Sequence, residues 1–559
     1  MRKKLSAVFV LALLSIQLSV HAANKPGVDA VASAHPLATE AGLQILAEGG
    51  NAFDAAVAVT STLAVVEPTG SGLGGGGFWL LHRASDGLQT FVDGRETAPA
   101  AAHQDMYLDA DGKAIREASL FGPLAAGIPG EPAAIVHLAT RYGQLPLAQS
   151  LKPAIKAARE GFACDKKLAH AFDRHWSRLS PAAHQVFGRD GRAPREGEQI
   201  VQAELAIVLQ RLAEQGLKGF YEGKTAQALV AGSDAAGGIW TLDDLSSYKL
   251  VEREPAVTMY QGIRVISAPP PSAGGITLAQ ILGQLASRKF QGGNLMESRH
   301  LLIESMRRAY RDRAAFLGDA DFVDVPQKRL MSPEYAKLLA ESIDDERATP
   351  SASLPPAKPS KEGEQTTHFS ILDREGNRVA ATLSINLPFG SGYMAPGTGV
   401  FFNDEMDDFS ASLDASNAYG LTGSRPNLVA AGKRPLSSMS PTFAEGPRGL
   451  LILGTPGGSR IITMVLHGLL AWAEGADVEQ LVSLKRYHHQ YLPDVVQFEP
   501  GTFSDDEQDR LKAMGHALAP LDSNYGNMQA ITWDAGSGQV NAAADPRGVG
   551  SSRVQSGEH

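Results

Sequence analysis

The sequence predicts a mixed α and β fold, and three observations carry this prediction. The chain has 559 residues, 43% of them hydrophobic and 20% charged, which is typical of a folded protein with a sizeable core. Segments with helical periodicity alternate with short β-rich runs. Glycine and proline separate these segments, and the 58 glycines indicate many tight turns. A chain of this length corresponds to one large unit or to two or three modest ones.

Helices are predicted where good helix formers place apolar residues at helical spacing. These segments are 38–49, 52–66, 131–142 and 296–315. The run RVIS at 264–267 predicts a strand. Two more β-like runs, TTHFSIL at 366–372 and VAATLSI at 379–385, enclose a polar, turn-rich connection and predict a hairpin.

A linker is predicted between the helical part of the chain and this hairpin. Residues 344–365 (DDERATPSASLPPAKPSKEGEQ) contain four prolines and almost nothing apolar. Such a segment cannot belong to a packed core, so we expect it to be exposed. The linker ends where the first strand of the hairpin begins. The predicted exposed linker therefore meets a predicted buried strand at Thr366.

The N-terminus has the pattern of a secretory signal peptide. A basic start (RKK) precedes a mostly apolar run over residues 5–20, and VHA at 20–22 offers small residues at the two positions that a signal peptidase reads. The apolar run is too short, and too interrupted by polar residues, for a membrane span. We expect a signal peptide at residues 1–22, no stable membrane anchor, and a periplasmic or secreted protein.

Composition and motifs also argue against several classes of function. A net charge of −10 gives no basic excess for binding nucleic acid. The lone Cys164 cannot form an intrachain disulfide and is expected to be a small buried hydrophobe. Gly74 to Gly77 lack the Lys-Ser/Thr of a phosphate loop, and the adjacent His488 and His489 lack the spacing of metal ligands. We expect neither a cofactor nor a catalytic metal.

The junction at Thr366 suits one kind of chemistry. A threonine hydroxyl is a poor nucleophile unless a base takes its proton, and a threonine made N-terminal by a chain cut carries its own base. An α-amine titrates near about 7.7 to 8.0, so a usable fraction is neutral at physiological pH. Because threonine is common in strands, the position alone is weak support for this chemistry.

Motifs along nearly the whole mature chain sharpen this hypothesis. The N-terminal part contains HPLATEAGLQILAEGGNAFDAAVAV, VEPTGSGLGGGGF, DGRETAP, GIPGEP and APPPSAGG. The C-terminal part contains TTHFS, SINLPFGSG, NDEMDDF, PLSSMSP and GTPGGSRI, with ADPRG near its end. In content and order these motifs resemble the γ-glutamyltranspeptidase (glutathione hydrolase) family of N-terminal-nucleophile hydrolases. The breadth of the match makes it more specific than any single motif.

The resemblance implies a four-layer αββα sandwich of the α+β class that cuts itself into two entwined subunits. Residues 23–365 would form the large subunit and residues 366–559 the small catalytic subunit, held together by shared sheets. The implied autocleavage site is the bond between Gln365 and Thr366. Thr366 would be the nucleophile in self-cleavage and again in catalysis, with its freed amine as the base.

The resemblance also implies the other residues of the reaction centre. Ser384, on the partner strand of the hairpin, would hydrogen-bond and orient Thr366, although the family commonly has threonine there. Gly457 and Gly458 match the pair whose backbone amides stabilise the tetrahedral oxyanion. His368 lies on the same strand face as Thr366, but a self-supplied amine makes a separate histidine base unnecessary.

A binding site for a free α-amino acid end is implied in the same way. Arg95 would bind the α-carboxylate, with Ser437 and Ser438 as additional donors. The ammonium would be received by acids and an amide, namely Glu405, Asp408 and Asn386. From the residues alone, Arg95 and Glu96 are equally a surface ion pair, and NDEMDDF is equally a solvated acidic loop.

The implied function is cleavage of γ-glutamyl amides through a γ-glutamyl-threonine ester, with transfer to water, amino acids or dipeptides. The small-molecule partners would be glutathione, other γ-glutamyl compounds and those acceptors. Tyr419 lies in a Gly, Ser and Asn-rich segment that matches a lid and favours small substrates. Two alternatives remain: a glutaryl or cephalosporin acylase of the same fold, and a periplasmic protein that binds γ-glutamyl peptides without cleaving them. Gly94, where the family usually has an aromatic residue, is a further departure.

Overall fold

The computed structural model describes residues 25–290, 295–355, 366–410 and 424–556. In these residues helices and strands alternate along the chain, which confirms the mixed architecture. The helices are α1 (Pro36–Ala47), α2 (Ala52–Val66), α3 (Glu131–Arg141), α4 (Leu147–Glu160), α5 (Lys166–His175), α6 (Pro181–Phe187), α7 (Ala203–Gln215), α8 (Lys218–Tyr221), α9 (Gly223–Ala235), α10 (Leu242–Ser247), α11 (Gly274–Ser287), α12 (Leu295–Phe316), α13 (Gln327–Leu330), α14 (Pro333–Glu341), α15 (Arg460–Ala473), α16 (Val478–Ser483) and α17 (Asp505–Ala513).

The strands are mostly short and antiparallel to their neighbours. They are β1 (Val28–Ser33), β2 (Gly76–Arg83), β3 (Leu88–Gly94), β4 (Phe162–Ala163), β5 (Gln199–Ile200), β6 (Val251–Arg253), β7 (Ala256–Tyr260), β8 (Ile263–Ser267), β9 (Thr366–Leu372), β10 (Arg378–Ser384), β11 (Thr442–Gly446), β12 (Gly449–Gly454), β13 (Tyr487–His488), β14 (Val496–Phe498), β15 (Leu518–Pro520), β16 (Gln529–Asp534), β17 (Val540–Ala544) and β18 (Ser551–Ser556).

Two large sheets dominate the fold. One has the strand order β18-β1-β9-β10-β2-β3-β6, and the other has the order β17-β16-β12-β11-β8-β7. Each sheet combines strands from before and after residue 365. In the first sheet β9 lies between β1 and β10, so a strand from each part of the chain flanks it. This interleaving is the arrangement expected of two entwined subunits.

The two largest core clusters of the described residues lie one on each side of the first sheet. One cluster packs Val31, Trp79 and Phe369 against the helices between α1 and α9. The other packs Phe78 and Leu80, from the opposite sheet face, against the second sheet and its covering helices α11, α12 and α15. Side chains alternate across a strand, so one sheet can serve both clusters. The layers therefore run helix, sheet, sheet, helix.

The start and end signals in the sequence explain why the predicted and observed elements nearly coincide. α2 and β9 have the predicted bounds, and α1 is shifted by two residues. Asn51 caps α2 by accepting hydrogen bonds from Phe53 and Asp54 backbone amides at 2.9 and 3.1 Å. The Asp54 carboxylate in turn accepts a hydrogen bond from the Asn51 backbone amide at 3.0 Å, which completes a capping box.

The described part of the predicted linker, residues 344–355, is mostly exposed. Ser351 is an exception, because it is buried and accepts a hydrogen bond from Arg307 at 2.7 Å. Residues 356–365 and the predicted signal peptide at 1–22 lie outside the described residues. Within the described ranges, no helix has both the length and the apolar character needed to cross a membrane.

Candidate active site

Thr366 is the first residue of β9 and is 6% exposed. Because side chains alternate along a strand, Thr366 shares the face toward the second sheet with His368. His368 lies against Gly454, the last residue of β12, since a Cβ on Gly454 would be 2.2 Å from the imidazole. The predicted nucleophile therefore lies between the two sheets, at the end where β12 gives way to the following loop.

The ends of four neighbouring strands line up beside Thr366. Ser384, the last residue of β10, is the direct cross-strand partner of Thr366, and Gly76 of β2 is the partner of Ser384 on its other side. The next residue of β2 pairs with Gly94, the last residue of β3. Arg95 follows at this same end of the sheet, three strand spacings or roughly 14 Å from Thr366.

The glycine run at the start of β2 lets these strand ends approach closely. A Cβ on Gly75 would lie 2.2 Å from the Ser384 carbonyl oxygen, and one on Gly76 would lie 2.4 Å from the Gly94 carbonyl oxygen. Any side chain at these positions would push the backbones apart. Tight packing beside the site accounts for this motif.

Gly457 and Gly458 form the loop between β12 and α15. Their φ angles are +140° and +57°, a region of backbone conformation that favours glycine. Their carbonyl oxygens accept hydrogen bonds from the amides of Arg460 and Ile461 at 3.2 and 3.0 Å, which ties the loop to the first turn of α15. The start of a helix favours negative charge, so this loop is chemically suited to stabilising an oxyanion.

His368 is committed to packing and does not have the contacts of a catalytic base. Its Nδ1 lies 2.8 Å from Thr382 Oγ1, and its Nε2 lies 3.3 Å from Ser370 Oγ. Complete burial lowers the pKa of His368 to about 3. The imidazole is therefore neutral at physiological pH.

Arg95 is the centre of a buried ion cluster. Its guanidinium donates to Glu405 at 2.5 Å and to Asp408, and it lies 3.4 Å from Glu96. Arg95 is 1% exposed and Glu96 is fully buried, which excludes a surface ion pair. Although Glu405 is 310 residues away in sequence, the fold brings the predicted carboxylate-binding cation into contact with the predicted ammonium-binding acids.

The pKa shifts show that this cluster holds more acid than Arg95 alone neutralises. Burial opposes the charge of Arg95, but attraction by Glu405 and Asp408 outweighs burial and raises its pKa. Burial and repulsion by Glu405 raise the pKa of Asp408 well above its usual range, even though Arg95 lowers it. The same two causes raise the pKa of Glu96. A further cation that entered the cluster would be attracted.

The acidic motif NDEMDDF is a buried wall of the site and not a solvated loop. Glu405–Asp408 form a buried 3₁₀ turn, preceded by the fully buried Asn403 and Asp404. Asn386, at φ +75°, donates from Nδ2 to the Asp404 carboxylate at 3.2 Å. Its backbone amide donates to Ser384 Oγ at 2.8 Å. Asn386 therefore links the strand end beside Thr366 to the acidic turn.

Ser437 and Ser438 lie on a loop that residues 268–275 hold in place. Ser437 forms an isolated parallel bridge with Ser272, in the motif APPPSAGG. The hydroxyl of Ser438 accepts a hydrogen bond from Arg313 of α12 at 3.2 Å. The motif APPPSAGG thus supports the loop that carries Ser437 and Ser438.

Two buried residues beside the site are absent from the sequence-based predictions. Arg313 donates to Ser438, and Tyr310, one turn earlier on α12, donates to the Ser459 carbonyl oxygen at 2.5 Å. The surrounding sequence RRAYRDR has the composition of a solvated basic helix, so it gave no signal of burial.

Other predicted positions have simple outcomes. Gln365 and Tyr419 lie outside the described residues. The ring of Trp79 fills the space beside Gly94, because a Cβ on Gly94 would lie 2.8 Å from that ring. An aromatic residue of the adjacent strand β2 therefore lies next to the position where the family usually has one. Cys164 is 1% exposed, and burial raises the pKa of its thiol to about 12, in agreement with the predicted buried hydrophobe.

The fold and the strand-end threonine define a class, the N-terminal-nucleophile hydrolases. The chain is similar to the solved structure of a cephalosporin acylase from Bacillus halodurans, with a TM-score of 0.82 and 28% identity over 94% of this chain and 95% of that chain. It is also similar to γ-glutamyltranspeptidase from Helicobacter pylori, with a TM-score of 0.56 and 38% identity over 58% of this chain and 94% of that chain. These similarities confirm the predicted sandwich fold.

The family follows from the sequence comparisons. The model of the γ-glutamyltranspeptidase family matches residues 38–554. The glutathione hydrolase proenzyme of Escherichia coli (strain K12) is 42% identical over 93% of this chain and 90% of that protein. The proenzyme of the same name from Pseudomonas aeruginosa is 40% identical over 96% of both chains. The chain therefore belongs to the γ-glutamyltranspeptidase family, as the motifs predicted.

Proposed function

We propose that the chain is a γ-glutamyltransferase with glutathione hydrolase activity, made as a proenzyme that cuts itself before Thr366. The observation that carries the proposal is the buried contact of Arg95 with Glu405 and Asp408 at the sheet end that also holds Thr366. A nucleophile at the same end of the sheet as a cation and acids suits a substrate with a zwitterionic end. Relatives named glutathione hydrolase proenzymes, at 36% to 42% identity, support the same function.

Self-cleavage is the first step. Thr366 Oγ attacks the carbonyl carbon of Gln365, an ester forms between the two residues, and the peptide nitrogen becomes the α-amine of Thr366. Water hydrolyses the ester, which leaves a carboxylate on Gln365 and frees the Thr366 hydroxyl. Residues 23–365 and 366–559 become the large and small subunits. They stay together because parting would expose the apolar surface of both core clusters.

Turnover reuses the same hydroxyl. The free amine of Thr366 takes the proton from Oγ, which attacks the γ-carbonyl carbon of the donor, while Ser384 keeps the side chain oriented. The amides of Gly457 and Gly458 stabilise the tetrahedral oxyanion. The leaving amine departs with the proton that Thr366 had taken, and a γ-glutamyl-threonine ester remains. Water, or the amine of an amino acid or dipeptide, then resolves the ester.

In donor recognition, Arg95 and its acidic neighbours exchange ion pairs with each other for ion pairs with the charged groups of the donor. The α-carboxylate of the donor binds Arg95, with the hydroxyls of Ser437 and Ser438 as further donors. The ammonium is received by the acids and the neighbouring amide, Glu405, Asp408 and Asn386. Because a zwitterionic end adds no net charge, the charge balance of the buried cluster is kept.

Two parts of the proposal rest on the sequence alone. The segment at 1–22 would direct the protein to the periplasm or out of the cell. The segment around Tyr419 would close over the pocket, exclude water and favour donors of the size of glutathione.

The proposal is tested by denaturing electrophoresis together with an assay on γ-glutamyl p-nitroanilide. Wild type should give two bands and turnover, whereas Thr366→Ala should give one inactive band. Thr140→Ala is a matched control, because that hydroxyl donates within its own helix, to the Val136 and His137 carbonyl oxygens at 2.8 and 3.5 Å. Active wild-type protein in which mass spectrometry finds residues 365 and 366 still joined would refute the proposal. Turnover also separates an enzyme from a binding protein.

The acylase alternative deserves a test because one structural neighbour is named a cephalosporin acylase. A glutaryl group has a carboxylate for Arg95 but no ammonium, so Glu405 and Asp408 would gain no second cation. We expect kcat/KM for glutaryl p-nitroanilide to be roughly a hundredfold or more below that for the γ-glutamyl compound. Equal or faster turnover of the glutaryl compound would favour the acylase.

A further inference from the structure

One helix of the N-terminal segment contacts both halves of the site. α12 carries Tyr310 and Arg313, which are three residues apart and therefore lie on one face of the helix. Both side chains are 2% exposed. Their partners, Ser459 and Ser438, belong to the C-terminal segment and lie on two different loops.

Tyr310 contacts the loop of the glycine pair. Its hydroxyl donates to the carbonyl oxygen of Ser459 at 2.5 Å, and Ser459 comes directly after Gly458 and before α15. The Ser459 hydroxyl donates to Gln490 at 2.6 Å, and the Tyr310 ring lies edge-on to His488 at 5.3 Å. The Tyr310 hydroxyl thus helps to fix the Ser459–Arg460 peptide plane, one residue after the glycine pair, and through it the position of the loop that carries the two glycines.

Arg313 contacts the loop of the serine pair. Its guanidinium donates to Ser438 Oγ at 3.2 Å and is attracted by Asp408. A guanidinium only donates, so the Ser438 hydroxyl is the acceptor in this contact, and Arg313 fixes the position of its oxygen. The positive charge of Arg313 also offsets part of the excess of acid around Arg95.

We propose that α12 positions both halves of the active site, with Tyr310 holding the oxyanion loop and Arg313 holding Ser438 for the α-carboxylate of the donor. The inference rests on the proposed γ-glutamyl transfer. Tyr310 and Arg313 both act through other groups, so they are positioning residues. Because their partners serve different steps, the two residues should affect different kinetic constants.

The first arm of the test is Tyr310→Phe, which removes one hydroxyl and keeps the ring. With γ-glutamyl p-nitroanilide we expect kcat to fall roughly three- to tenfold and KM to stay within about twofold. Tyr393→Phe is the matched control, because that hydroxyl also donates to a backbone carbonyl, that of Gly232 in α9, at 2.6 Å. It should leave both constants near those of wild type.

The second arm is Arg313→Gln, for which we expect KM to rise roughly tenfold or more with kcat within about threefold. Arg313→Lys keeps the charge and should recover part of the loss. Arg299→Gln, on the same helix, is the control, because Arg299 donates to the Thr502 carbonyl oxygen at 2.9 Å. Two bands on a denaturing gel and an unchanged melting temperature verify folding. If Arg313→Gln does not fold, the KM of Arg313→Lys tests the inference instead: a raised KM supports it, and a KM equal to that of wild type overturns it.

The outcomes separate the inference from the function on which it rests. A loss in kcat for Tyr310→Phe together with a rise in KM for the Arg313 variants supports the inference. Variants that match their controls, or that change both constants in the same proportion, overturn it. Wild type that does not turn over the γ-glutamyl compound refutes the proposed function instead.

Discussion

The two ends of the proposed site are built by different means. At the reaction end, Thr366 and Ser384 are placed by strand pairing, and Gly457 and Gly458 by backbone conformation. None of these residues has an ionisable side chain. At the recognition end, Arg95 and three carboxyl groups from two distant parts of the chain are held together by buried charge pairs.

This difference assigns an expected kinetic signature to each end. A geometric error at the reaction end reaches the transition state directly and should lower kcat. A change of charge at the recognition end alters donor binding and its pH dependence and should change KM. A reaction-end substitution that changes mainly KM, or a recognition-end substitution that changes mainly kcat, would show that the two ends are not separate.

The largest effect is expected from Arg95→Gln. The substitution leaves buried Glu405 and Asp408 without their guanidinium, and breaking a buried pair typically costs about 3 to 5 kcal/mol. We expect KM to rise roughly a hundredfold or more and the melting temperature to fall. Arg83→Gln, in the exposed pair with Asp86 at 2.6 Å, is the control and should leave both KM and the melting temperature near those of wild type. A KM near that of wild type would show that Arg95 serves the fold alone.

The next largest effect is expected from Gly457→Ala at the opposite end. A Cβ there would lie 2.6 Å from Met464 Cε, at a φ of +140°. Displacing one oxyanion donor typically lowers kcat by about a hundredfold or more, so we expect such a loss with KM nearly constant. Gly87→Ala is the control, because Gly87 has φ +71° and open space around its Cβ position. An unchanged kcat would exclude this loop from the reaction.

A moderate effect on pH dependence is expected from Asp408→Asn. Burial and Glu405 raise the pKa of Asp408, and a donor ammonium pairs with the ionised form. In wild type, KM should therefore fall as pH rises through that pKa, as long as the donor amine stays protonated. The amide cannot ionise, so the variant should have a higher KM with a flatter profile. Steady-state kinetics across pH measure this, and identical profiles would assign the proton to another group.

The smallest effect is expected from Ser384→Thr. The hydroxyl remains opposite Thr366, and the added methyl group restricts rotation about χ1. We expect kcat and the rate of self-cleavage to change by less than about threefold. Time courses of cleavage on denaturing gels, with kinetics on the processed enzyme, measure both. A tenfold loss would show that β10 has no room for the methyl group at this position.

Much of the fold and of the reaction end could be predicted from local sequence. The polar turn between two β-like runs indicated the hairpin that pairs Ser384 with Thr366, and the observed β10 differs from its predicted bounds by one residue. Asn51 marked the start of α2 through its capping box. These signals lie within a few neighbouring residues, so they can be recognised without knowledge of the tertiary structure.

The recognition end could be predicted only by resemblance, and its support not at all. Residue types alone allowed Arg95 and Glu96 to be an exposed pair, because burial depends on strands and loops far along the chain. Arg313 shows the same limit, since a basic helix sequence predicts solvation while the fold buries its guanidinium. Long-range charge pairing leaves no periodic trace in the sequence.

The position of β9 between β1 and β10 has a consequence for how an active molecule arises. The threonine strand reaches its place only once partners from both sides of the cut have docked on it. Under the proposed self-cleavage, the bond before Thr366 is cut only in a chain that has folded this far, so a misassembled copy would stay uncut and inactive. The fraction of cut chains in a preparation would then measure the fraction of chains that has folded correctly.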